Sequence, residues 1–244
     1  KQVLAFCLHH IIVDGWSVNI LLQELSALLQ DTPAELPALA LQYSDFSVWQ
    51  HQWHTSGGVQ NQLAYWQKTL QGAPALINLP TDKPRPPILS SNGAELSFSI
   101  DSNTVRDLRK LAKQHNASLF MVMIAAYALL LSRYSQQDDI CIGFPISGRT
   151  QKALESIIGL FVNNLVVRSQ ISSELTVAQH IAQVRSATLD AFAHQDVPFD
   201  SIIDALKLER SLSYTPLLQA SFALEEQSFA ERIQQTLGQD FSLM

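Results

Sequence analysis

The chain has 244 residues, of which 47% are apolar and 16% charged, with a formal net charge of −6. This composition excludes a disordered chain and supplies enough apolar surface for a large core, in one domain or two lobes. No basic run is long enough to argue for nucleic acid, and no Lys/Arg-rich amphipathic helix argues for a membrane surface.

In chain order, residues 3–8 form a continuous apolar run that reads as a buried strand. Ser17 then reads as the N-cap of a helix carrying Val18, Leu21, Leu22, Leu25, Leu28 and Leu29 on one face, ended by Asp31, Thr32 and Pro33. Phe46, Trp49 and Trp53 follow at helical spacing, and aromatics so spaced are usually core. A further helix carries Leu63, Trp66 and Leu70. Residues 79–87 hold the densest proline in the chain and read as an extended connector. Residues 96–100 alternate like a half-buried strand, and Thr104 with Asp107 resembles a capping box for a helix over 105–115.

Ser118 caps a more buried helix to Tyr134, too short to span a bilayer and broken by Ser132 and Arg133. Residues 139–145 and 160–168 read as strands, Thr176 with Gln179 caps a helix to about His194, and residues 217–224 alternate as a last strand. Strands mixed with helices of ordinary length give an α/β or α+β class. Cys7 and Cys141 read as small buried hydrophobes of a reducing compartment, so a cytoplasmic setting is expected. The chain opens inside one apolar run and closes in another, which reads as a piece of a longer polypeptide.

The chemistry-bearing segment is His9-His10-x-x-x-Asp14-Gly15, at an expected strand-to-helix junction. A titratable imidazole and a carboxylate there suit proton handling near neutral pH. Neighbouring strand residues face opposite ways, so only one histidine looks into a given site. Asp14 either orients an imidazole directly or holds the loop through an arginine, and Gly15 permits a positive φ. The same residues are also what two ordinary histidines before a helix cap would look like. Asn163, Asn164 and Arg168 lie in an apolar strand, where amides line a channel or satisfy nearby backbone. His194, Asp196 and Pro198 form a helix-start signature that is equally a plain cap and turn. His51 and His54 have no evident third ligand, so no metal site is expected. There is no phosphate loop and no Gly-x-Ser-x-Gly elbow.

Singly these signals are weak, but their order is specific. HHIIVDGWS at 9–17, YSDFSVW at 43–49, IGLFVNNLVVR at 158–168 and HQDVPFD at 194–200 occur in the order of the condensation domain motifs of nonribosomal peptide synthetases, which the chain resembles over nearly its whole length. The resemblance implies a chloramphenicol acetyltransferase-like fold of two α/β lobes in a V, with the N-terminal lobe incomplete. Residues 1–80 would belong to that lobe, 81–95 to the connector and 96–244 to most of the C-terminal lobe.

The implied reaction joins a donor acyl thioester to an acceptor aminoacyl thioester. Each is carried on the phosphopantetheine arm of a carrier protein, with no cofactor bound directly. The partners implied are upstream and downstream peptidyl carrier domains and an adenylation domain in the same polypeptide, with no nucleic acid, membrane or metal. By the same resemblance His10 is the catalytic base or amine-orienting group. His9, Asp14, Gly15 and Arg149 are structural in the active site, and Trp16, Ser17 and Asn163 line the channel. Asn164 stands where the family usually has Thr, Asp200 where it often has Glu, and Ser213-Tyr214-Thr215-Pro216 departs from its last motif. Heterocyclisation relatives replace the first histidine by Asp, and epimerisation relatives differ after Asp-Gly, so Trp16-Ser17 points to condensation. The alternatives are a silent docking module and a coenzyme A-dependent acyltransferase of the same superfamily.

Overall fold

A computed structural model describes residues 3–30, 35–225 and 227–237. Among these, eight α-helices and two strands form: α1 Gly15–Leu28, α2 Tyr43–Thr55, α3 Val59–Leu70, α4 Ser102–Gln114, α5 Leu119–Ser135, β1 Asp139–Ile146, β2 Asn163–Gln170, α6 Val177–Ala193, α7 Phe199–Leu206 and α8 Phe229–Leu237. The chain divides into two compact units that are not contiguous in sequence. One takes residues 1–58, 146–163 and 224–244, and the other residues 59–145 and 164–223. The expected connector at 81–95 therefore lies within the second unit.

The second unit has a conventional core. Ile140, Ile142 and Phe144 alternate along β1 and are almost wholly buried. Ile140 and Ile142 pack with Ala128 and Leu131 of α5 and with Ala220, and Phe144 lies edge-on to Phe120 and Phe192. This is why α5 is apolar all round: it is a core helix, with Ser118 capping it through the amide of Met121. Thr176 and Gln179 form the expected capping box of α6.

Arg168 ties the sheet to α3. It grips Asp139 through two nitrogens, at 2.9 and 2.6 Å, and donates to the carbonyls of Thr69 and Gln71 at the open end of α3. Cys141, beside this pair, is buried; burial and then Asp139 push its thiol up to about 12, against the opposing pull of Arg168.

The His194 motif is also a packing device. The indole of Trp66, which has no exposed surface, donates to the His194 carbonyl at 2.8 Å. Tyr65 stacks on the His194 ring at 3.8 Å, and Gln62 and Asp196 exchange side-chain and backbone bonds. Three side chains of α3 thus hold the turn that opens α7.

Several expected elements are not formed. Residues 3–8 and 96–100 carry no regular secondary structure. Val3, Leu4 and Phe6 are more than half exposed, Leu96 and Phe98 more than four-fifths. A strand needs a hydrogen-bonding neighbour, and none pairs with these segments among the described residues. Cys7 is accordingly exposed rather than buried. Residues 217–224 form only an isolated parallel bridge, Gly143 with Ser221, instead of a full strand.

Helix α4 starts at Ser102, because Asp101 caps it through the amides of Asn103 and Thr104; the Thr104–Asp107 box is not used. The α1 face also differs from expectation: Ser17, Ile20 and Leu22 are buried, whereas Leu28 and Leu29 are at least half exposed. The expected helix stop at 31–33 lies outside the described residues.

Truncation of Trp66 tests the second unit. Trp66→Ala removes a fully buried indole and orphans the His194 carbonyl, so a loss of about 3–5 kcal/mol is expected in chemical denaturation. A loss below about 1 kcal/mol would show that α3 does not anchor this unit.

Candidate active site

The site is built in the first unit, around the start of α1. His9, His10, Ile11 and Ile12 wind into a short 3-10 turn, with His10–Ile12 its formal residues. His9 caps the turn, its Nδ1 accepting from the amide of Ile11 at 3.1 Å. His10 is exposed, and its carbonyl accepts from the amide of Val13. Both histidines are exposed; the ring of His9 is engaged by its own turn through Nδ1.

Four residues on, Asp14 is the true N-cap of α1, in place of Ser17. Its side chain is 2% exposed and accepts six hydrogen bonds. Oδ1 accepts from the amide of Ser17 at 2.8 Å, its hydroxyl at 2.7 Å and Arg149 Nη2 at 3.2 Å. Oδ2 accepts from Arg149 Nη1 at 2.8 Å and from the amides of Phe161 and Val162 at 2.9 and 3.2 Å. Burial alone pushes this carboxyl up. Arg149, the Ser17 and Phe161 amides and the Ser17 hydroxyl outweigh it and hold the group at about 2. Asp14 is therefore a fixed anion near neutral pH and not a proton carrier.

Arg149 is equally satisfied. Beyond Asp14 it donates to the carbonyls of Leu154 and Ile157 and to the Ser17 hydroxyl. Its guanidinium lies 4.2 Å from the Phe161 ring centre and 5.7 Å from that of Trp16. The approach depends on Gly148, at φ +66°, where a Cβ would strike the Phe161 carbonyl. Trp16, expected in the channel, is 43% exposed and donates from its indole to the Glu155 carbonyl. Ser17, also expected there, has no exposed surface and joins the buried cluster instead. Gly15 is the first residue of α1, with open space where a Cβ would stand. Asn163 is partly exposed and opens β2 directly after the pinned amides of Phe161 and Val162.

The aromatic segment of α2 supports this loop. Tyr43 donates to the Leu160 carbonyl at 2.8 Å, and Tyr43 and Phe46 pack on Phe161. Gly159 is required because a Cβ there would run into the Tyr43 ring. Among the described residues, no cluster of three or more His, Cys, Asp or Glu is arranged for a metal, and no single helix is long and apolar enough to cross a membrane.

The model of the condensation domain family matches residues 1–243. The chain belongs to the condensation domain family. It is 44% identical over 227 residues to a subunit of the linear gramicidin synthase of Brevibacillus parabrevis, covering 91% of this chain and 4% of that protein. It is 42% identical over 225 residues to a subunit of the plipastatin synthase of Bacillus subtilis (strain 168), covering 92% and 9%.

Among solved structures it is similar to a four-domain nonribosomal peptide synthetase bound to AMP and glycine, with TM-score 0.83, 26% identity and coverage of 92% of this chain and 17% of that one. It is also similar to the X-domain from teicoplanin biosynthesis, with TM-score 0.80, 29% identity and coverage of 87% and 49%. The chain thus spans under a tenth of the gramicidin and plipastatin synthase proteins and about half of the X-domain chain. The mixed helix and strand structure is that of the chloramphenicol acetyltransferase-like fold of this family.

The Ser17, Gly159, Phe161 and Val162 contacts were not legible in the sequence. The only local signal was Ser17 three residues after Asp14, the spacing of a cap and its amide.

The buried pair can be tested through stability and its pH dependence. Asp14→Asn leaves Arg149 buried without its anion and is expected to cost about 3–5 kcal/mol in chemical denaturation. The folded carboxyl titrates below its ordinary 3.8, so its contribution is full above about pH 4 and fades as the pH falls toward about 2. Stability in the Asp14→Asn protein is expected to vary less with pH in that window. An identical acid profile would show that the pair does not stabilise the fold.

Proposed function

We propose that this condensation-family chain forms part of a peptide-bond-forming enzyme of a nonribosomal peptide synthetase. The observation that carries the reading is the intact His9-His10-x-x-x-Asp14-Gly15 segment, with His10 exposed while Asp14 is locked away. The substrates are two thioesters on the phosphopantetheine arms of upstream and downstream carrier domains, one of them loaded by an adenylation domain of the same polypeptide. We assign residues 1–80, 81–95 and 96–244 to the N-terminal lobe, connector and C-terminal lobe of the complete domain.

The acceptor amine attacks the donor thioester carbonyl, a C–N bond forms, the C–S bond breaks, and the pantetheine sulfur leaves as a thiol. The net proton passes from the ammonium formed in the attack to the leaving sulfur. A thioester is already activated and a free amine already nucleophilic, so the protein's main tasks are to position two arms and manage that proton. His10 takes the proton or orients the amine. His9 shapes its turn, Asp14 and Arg149 hold the site's frame, Gly15 lets the backbone approach, and Trp16 and Asn163 face the channel.

A second reading is suggested by the X-domain, one structure of which is a complex with OxyB. On that reading this chain would bind a partner protein without turning over a substrate. Intact histidine and aspartate positions favour chemistry. A coenzyme A-dependent acyltransferase is the third, and its mark is acyl transfer from free coenzyme A thioesters.

The deciding experiment supplies donor and acceptor on carrier domains to the full polypeptide and scores product by mass. His10→Ala is expected to lower turnover by about 10²-fold or more with an unchanged unfolding curve, since His10 is exposed. Wild-type turnover in His10→Ala removes the catalytic assignment. Carrier binding without product from any thioester pair supports the docking module.

A further inference from the structure

Residues 157–162 contain no helix or strand, yet Ile157, Gly159 and Phe161 are buried. Side chains hold this segment almost entirely. Arg149 takes the Ile157 carbonyl, Tyr43 the Leu160 carbonyl, and Asp14 the amides of Phe161 and Val162. Gly159 is held by Ser17: its amide donates to Ser17 Oγ at 3.0 Å, and its carbonyl lies 2.8 Å from the same oxygen. Ser17 Oγ also accepts from Arg149 Nη2 at 2.8 Å and lies 2.7 Å from Asp14 Oδ1. Its single proton therefore serves either Asp14 or Gly159, while its lone pairs serve Arg149 and the Gly159 amide. A hydroxyl with no exposed surface meets an anion, a cation and a peptide at once.

We propose that Ser17 is a positioning residue of the reaction: it clamps residues 159–162 to the start of α1 and so sets Asn163 in register with the His10 turn. His10 and Asn163 are both tied to Asp14, one through four residues of chain and one through the amide of Val162 beside it. With the Ser17 hydroxyl removed, both polar groups of Gly159 lose this partner, and the segment is free to shift while the Asp14–Arg149 pair remains. Displacements of about 1 Å at a reacting centre cost about 10²-fold in rate. The inference rests on the condensation reading above.

The test compares Ser17→Ala with Ser26→Ala in the full polypeptide. Ser26 lies in the same helix and unit, and its hydroxyl donates to the Thr236 carbonyl at 2.7 Å, so it reports on purely structural loss. Ser17→Ala is expected to lower kcat of the folded enzyme about 10- to 100-fold with KM for the carrier substrates unchanged. Amide exchange at Gly159, Phe161 and Val162 should quicken by about tenfold or more, with α3 and α7 unaffected. Ser26→Ala should change stability alone.

Faster exchange with wild-type kcat overturns the positioning role. Unchanged exchange overturns the clamp itself. If kcat falls equally in both variants, Ser17 is merely structural and the proposal fails. Absence of product from the wild type removes the condensation reading, and the positioning role with it, while the exchange data still decide the clamp.

Discussion

One buried ion pair organises the first unit. Asp14 and Arg149 are withdrawn from water together, and such a pair is tolerated only when the remaining lone pairs and protons find partners. Here they do: the carboxylate accepts from two side chains and three amides, and the guanidinium directs its further donors at backbone carbonyls and the Ser17 hydroxyl. The consequence is that a loop without regular structure has its backbone groups held by side chains. Glycines at 148 and 159 are the steric condition for it, since a Cβ at either would meet Phe161 backbone or the Tyr43 ring.

The same rule governs the second unit, but with neutral groups at its centre. Trp66, Tyr65 and Gln62 of α3 bind the His194 turn through an indole donor, a ring stack and a paired amide. Arg168 closes the end of α3 while neutralised by Asp139. The residues that look most chemical in this half, His194, Asp196 and Arg168, are thus engaged in packing. In the first unit Asp14 is a fixed anion and the exposed His9 ring caps its own turn through Nδ1, while His10, also exposed, lends only its carbonyl to that turn.

Apolar segments show the opposite case. Residues 3–8 and 96–100 have strand-like sequences, and both are exposed. Alternating or continuous apolar residues express a demand for cover, and it is the ladder partner that turns this demand into a strand.

Local signals were legible wherever the deciding contacts are local. Helices α2 and α3 follow from 3.6-residue periodicity, and α5 and α6 from the Ser118 and Thr176 caps, whose side chains reach only three residues. Strand β1 followed from its apolar run, and the motif order identified the family. The Asp14 cap of α1 is itself a local contact, but tertiary structure alone decided that the same carboxylate also serves an arginine 135 residues away. It alone buried Ser17, exposed Cys7, and gave His194 to Trp66 and Tyr65. Contacts between residues so far apart leave no period in the sequence, so they are settled only when the chain closes its loops and each buried polar group finds its partner.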